Sequence, residues 1–182
     1  MGQNVLSAIP APFVVTELSP GGANMGFRRV IAVERKGAAV LVADEQIERL
    51  DAAGIDPIWR TDSDPEVPNS GEVPDAVGFP DPGGVWVIGW VLEPGRIGDS
   101  DNGIVVMDDE DPGFHRTDSV DVHVLLEGSL VLELDDGVEI ELNPGDTVVI
   151  NGNRHRWHNR GERTARAIVT ICGASRNDRQ EN

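Results

Sequence analysis

All four of the chain's histidines fall in a single stretch, GFHRTDSVDVHVLLEGSLVLELDDGVEIELNPGDTVVINGNRHRWHN, running from Gly113 to Asn159, and three of them could converge there with one carboxylate. The side chains are His115, Asp121, His123 and His155. Imidazole and carboxylate together suit a divalent transition metal: Zn, Fe, Mn, Ni or Cu. Residues two apart on a strand face the same way, so Asp121, His123 and Leu125 share one face, and Val122, Val124 and Leu126 the other. An apolar interior tolerates an acid and an imidazole only when they are partnered, and a shared ion would offset that cost. The alternative stays open: Asp121 hydrogen-bonds His123 or His115 in a polar patch that holds no ion.

The elements that must position these groups read as strands. Apolar–polar alternation marks 28–34, 38–43, 57–61, 85–93, 119–126, 129–134, 138–142, 147–150, 155–158 and 164–171. Lys36-Gly37, Asp136-Gly137, Pro144-Gly145 and Asn151-Gly152 are turn dipeptides, because Gly and Asn accept positive φ and Pro presets the first turn position. Many short strands at this spacing predict an all-β sandwich or barrel. Only 45–54 shows helical spacing, with Ile47, Leu50 and Ala53 in phase and Gly54 as a stop.

On these residues the chain resembles the cupin family. His115 stands at a family metal position, Asp121 replaces the usual Glu, and Leu126-Glu127-Gly128 matches the strand end that follows. In the second motif, Pro144-Gly145-Asp146 opens a strand, Gly152 marks its turn, and His155 and Asn159 keep the family spacing. A second family histidine is replaced here by Thr117, a weak ligand, and His123 either supplies the missing donor or serves as a pocket base. The resemblance implies a cupin double-stranded β-helix, a jelly-roll-like barrel with extra N-terminal strands, pairing as a homodimer through those strands. It implies a metal held by His115, Asp121, His123 and His155.

Trp86 and Trp90 share a strand face with Ile88, and Trp157 shares one with His155. They line an apolar pocket for an aromatic or polyketide-like ligand, or they are core. Arg60 is the candidate anion clamp if it turns inward, since a guanidinium binds a carboxylate bidentately; otherwise it pairs with Asp62 or Asp64 at the surface. His158, beside Arg156 and Arg160, reads as a surface residue. Asp99 to Glu110 superficially resembles a calcium loop, but Ile104 stands where that loop needs glycine.

Length and composition set the limits. At 182 residues and 39% hydrophobic, the chain is long enough for one real core. A net charge of -17 repels phosphate backbones and anionic lipid, which argues against nucleic-acid and membrane partners. The single Cys172 cannot form an internal disulfide, and with no signal-like start the expected location is cytoplasmic. The expected organisation is an arm over 1–26, one barrel over 27–175 with its motifs in 113–171, and a polar tail over 176–182.

The functional expectation is a metal-dependent enzyme acting on a small organic acid or an aromatic or polyketide-like metabolite, of decarboxylase, dioxygenase, isomerase or lyase type. His123 and Thr117 would be its catalytic and orienting groups. The alternatives are a metal-free barrel that binds a small molecule, and a structural barrel with a vestigial polar cluster.

Overall fold

A computed structural model describes residues 26–47, 54–74, 78–98 and 106–177. Twelve strands are described: β1 Arg28–Arg35, β2 Ala38–Gln46, β3 Ile55–Thr61, β4 Val85–Leu92, β5 Val106–Met107, β6 His115–Arg116, β7 Ser119–Glu127, β8 Leu130–Glu133, β9 Glu139–Leu142, β10 Thr147–Asn151, β11 Arg156–His158 and β12 Ala165–Gly173. The molecule is all-β, as its alternation predicts.

A five-stranded antiparallel sheet runs β10-β7-β12-β4-β3, and a three-stranded sheet runs β11-β8-β9. Along β11, single bridges add Ile97 to His158 and His115 to His155, and His115 begins the short β5-β6 pair. The two sheets bury a shared core of Leu92, Leu125, Leu142, Ile150 and Trp157. A second cluster of Ile55, Trp86, Ile88, Val169 and Ile171 sits on the inner face of β3, β4 and β12.

The turn dipeptides do what their residues favour. Lys36 and Gly37 have φ of 52° and 78°, and Asp136 and Gly137 have 59° and 71°, so each pair puts two left-handed residues in a tight reversal. Gly89 has a different reason to be glycine. A Cβ there would lie 2.1 Å from the Phe27 ring, which packs over the outside of β4 with Ile47 and Val91.

The helix expected over 45–54 does not begin where the spacing places it. Glu45 and Gln46 continue β2, paired with Arg29 and Arg28 of β1, and 48–53 lie outside the described residues. Cross-strand ion pairs, Arg28 with Asp44 and Arg29 with Glu45, hold that end of the ribbon extended. The calcium-like segment at 99–105 and arm residues 1–25 also lie outside the described residues. Among the described residues no helix is long and apolar enough to cross a membrane.

Candidate functional site

A cavity of about 70 Å³ opens between the sheets. Its polar lining is His115, Thr117, Asp121, His123 and His155. Trp86, Trp90, Trp157 and Phe79 give it aromatic walls, and Ile55, Ile88, Val169 and Ile171 complete the apolar side. Every residue expected at the site lines this cavity except Arg60.

His115 and His155 form the tightest pair. Their backbones exchange two hydrogen bonds, His115 N–H to His155 O at 2.9 Å and the reverse at 3.0 Å, and the ring centroids are 4.4 Å apart. Each Nδ1 meets a backbone carbonyl: His115 to Gly113 at 3.1 Å, His155 to Asn153 at 3.0 Å. A carbonyl only accepts, so the proton resides on Nδ1 in both rings and Nε2 keeps its lone pair. A metal-binding histidine is oriented by the same arrangement. Burial, with the neighbouring His115, pushes the His155 imidazole down to about 4; burial also lowers His115. Both rings are therefore neutral near pH 7 and able to donate a lone pair.

Asp121 points inward from β7. The Ser119 hydroxyl donates to Thr117 Oγ1 at 2.8 Å, and Thr117 Oγ1 donates to Asp121 Oδ2 at 3.3 Å. Asp121 Oδ1 is buried and has no hydrogen-bond partner among the described residues. Burial raises the carboxyl pKa, and the Ser119 and Thr117 hydroxyls oppose that shift. Thr117 thus serves Asp121 as a hydrogen-bond donor.

His123 lines the same cavity from β7. Its ring lies 4.8 Å from Trp157 and 6.2 Å from Trp90, while Trp157 is itself 5.8 Å from His155. Both ring nitrogens are buried without a partner among the described residues. Burial pushes its pKa down to about 3, with smaller contributions from His155 and His115. A base that weak accepts protons poorly at neutral pH.

The cavity donors are more widely spaced than a closed ion cage. Among the described residues, the group of three such donors lying within 4.8 Å of one another is Glu133, Glu139 and His158, on the outer face of the smaller sheet. Those carboxylates are already neutralised. Arg156 binds Glu133 through two nitrogens, His158 Nε2 meets the same carboxylate at 2.6 Å, and Arg160 pairs with Glu139. His158 is thus the outward-facing residue its sequence context predicts.

Arg60 neither enters the cavity nor sits at the surface. It is 5% exposed, and its guanidinium pairs with Asp62 at 2.5 Å, bonds the Gly78 and Phe79 carbonyls and lies over Trp86. Each of its three nitrogens is thus engaged within the protein. Among the described residues, no Lys or Arg lines the cavity.

A clasp missed in the sequence holds the histidine pair. Phe114, buried and adjacent to His115, is packed between Arg154 and Arg156, whose guanidinium carbons lie 3.8 Å and 4.3 Å from its ring centroid. Arg154 also pairs with Asp108, Asp111 and Asp135. The two arginines flank His155, and that Arg-His-Arg alternation is the signal the sequence carries. Asn159 closes the motif: Nδ2 donates to Leu92 O at 2.8 Å and Arg163 O at 2.9 Å, and Oδ1 accepts from Gly161 N–H at 3.0 Å.

Known proteins are similar to parts of this chain. A stretch of 47 residues, 26% of this chain and 25% of that protein, is 46% identical to phomopsin biosynthesis cluster protein C′ of Diaporthe leptostromiformis. Over 65 residues the chain is 39% identical to oryzines biosynthesis cluster protein J of Aspergillus oryzae, covering 35% and 36% of the two chains. The chain thus spans only about a quarter to a third of the length of these curated relatives. The solved cupin domain of an XRE family transcriptional regulator from Enterobacter cloacae is 20% identical, with a TM-score of 0.38 over 50% of this chain and 83% of that one. Residues 104–171 match the family described as the cupin domain, and they include His115, Asp121, His123 and His155. Over that stretch the chain carries a cupin domain.

Proposed function

We propose that the chain is a metal-dependent small-molecule enzyme whose ion is held by His115, His155 and Asp121. The observation that carries this reading is the tautomer shared by His115 and His155: both Nδ1–H groups are committed to backbone carbonyls, leaving two neutral Nε2 donors at one cavity. The unpartnered oxygen of Asp121 supplies the anionic ligand. A divalent ion there supplies Lewis-acid polarisation of a carbonyl or carboxylate. The chain's own groups do the rest: Thr117 and Ser119 orient Asp121, and the Trp walls exclude water.

Cavity size narrows the substrate. A water needs roughly 15 Å³ by this measure, so 70 Å³ holds about five water-sized positions. That supports a small organic acid over a polyketide-like metabolite. With no Lys or Arg in the lining among the described residues, a substrate carboxylate depends on the ion for its counter-charge. The biosynthesis-cluster names of the relatives support small-molecule metabolism. A homodimer joined along the β1-β2 ribbon is part of this reading, supported by the exposure of Val30 and Leu41 there.

Elemental analysis after metal-supplemented expression tests the proposal. About one ion per chain is expected, and loss of that ion in both His115→Ala and His155→Ala. Less than about a tenth of an ion per wild-type chain sinks the reading. The wide spacing of the cavity donors favours a second one, a metal-free binding barrel. Saturable quenching of Trp emission by a small ligand, without metal, identifies it.

A further inference from the structure

His123 lines the same cavity as His115, His155, Asp121 and Thr117 and lies against Trp157 and Trp90, and β7 continues from it to Leu125 in the apolar core. On β7, His123 pairs with Val148 of β10 and Val169 of β12, neither of which has a side chain that can hydrogen-bond it. A neutral imidazole carries one N–H donor and one lone-pair acceptor, and here both are buried and unpartnered among the described residues. Leaving such groups unmatched is costly, so a ligand that pairs both gains over one that pairs one or neither. Among the described residues, no Lys or Arg lines the cavity to neutralise an anion.

We propose that His123 is a specificity-determining residue, receiving an uncharged group of the ligand that both donates and accepts, such as a carboxamide or an alcohol. The inference deepens the small-molecule reading above and rests on it, but its contact is made by the chain alone. His123 then selects the ligand without holding the ion.

Propanamide and butan-2-one test this. They are equal in size and uncharged, and only the first donates as well as accepts. Titration followed by Trp emission reads the site, because Trp90 and Trp157 touch His123. Wild type is expected to bind propanamide at least about tenfold more tightly than butan-2-one. His123→Leu should remove the preference while keeping its metal content, and His123→Gln, which restores a donor and an acceptor, should recover part of it. Equal affinity in wild type, no saturable change with either probe, persistence of the preference in His123→Leu, or loss of metal in that variant each overturns the proposal. If wild type holds no metal yet keeps the preference, the metal reading fails and the His123 assignment stands.

Discussion

The guanidinium of Arg154 lies 3.8 Å from the centre of the Phe114 ring, and this stack joins the segment carrying His115 to the one carrying His155. Arg156 covers the same ring at 4.3 Å and donates to the Pro112 carbonyl, so the join is made twice. The histidine pair is therefore held by a charged and aromatic clasp outside the cavity.

Phe114→Ala should loosen that clasp. The expected cost is about 3 kcal/mol of stability, typical of truncating a buried phenyl. The diagnostic change is local: hydrogen exchange should speed up at the His115 and His155 amides, which bond each other's carbonyls, while amides at the centre of the five-stranded sheet stay protected relative to global stability. Equal acceleration everywhere would show that Phe114 serves only the core.

Acid should destabilise the chelator-treated protein over a defined window. Burial holds His155 at about 4 and His123 at about 3, and lowers His115, whereas the unfolded chain titrates near 6.5. Below about pH 6.5 only the unfolded state takes up these protons, so the histidine contribution is complete above that value and is lost as pH falls towards about 4. Asp121, raised by burial, acts oppositely: its contribution is present below about 3.8 and lost as pH rises through its folded value. Urea melts across about pH 6 to 4.5 should show His155→Gln reducing the slope by about 1.4 kcal/mol per pH unit. An unchanged slope would contradict the neutral buried ring.

Gly89→Ala should cost about 1–3 kcal/mol, because its Cβ would enter the Phe27 ring. The same substitution in a Phe27→Ala background should cost much less. A double-mutant cycle by thermal or urea unfolding measures the coupling, and strict additivity would refute the clash.

Asn159→Ala should destabilise by about 3 kcal/mol or more, since it removes two donors and one acceptor from buried backbone partners. Asn159→Asp should be at least as harmful, placing a carboxylate against the Leu92 and Arg163 carbonyls. Recovery of stability in the Asp variant would overturn this account.

Much of the architecture is legible in the chain because strand alternation and turn chemistry agree. Ala165–Gly173 alternates cleanly, and Asp136-Gly137 turns where its φ preferences require. The cavity set is legible too, since His115, Asp121, His123 and His155 are inward positions of strands or of residues bridged to them. Three features were hidden. Strands β5 and β6 are two residues each, too short to show a period. At 45–46, partners on β1 override a helical spacing. Arg60 is turned by Asp62 and by carbonyls of a distant loop, contacts that only the tertiary structure creates.

The bridge between His115 and His155 closes a loop of forty positions through the barrel. Its two donors are strangers in the unfolded chain and become neighbours only after non-local pairing is complete, late in assembly. Any cation captured there is therefore a clamp on the finished shell: its binding free energy adds to the resistance against unfolding, and stripping it should lower the melting temperature, with the shift growing as the logarithm of the free ion concentration once that exceeds Kd.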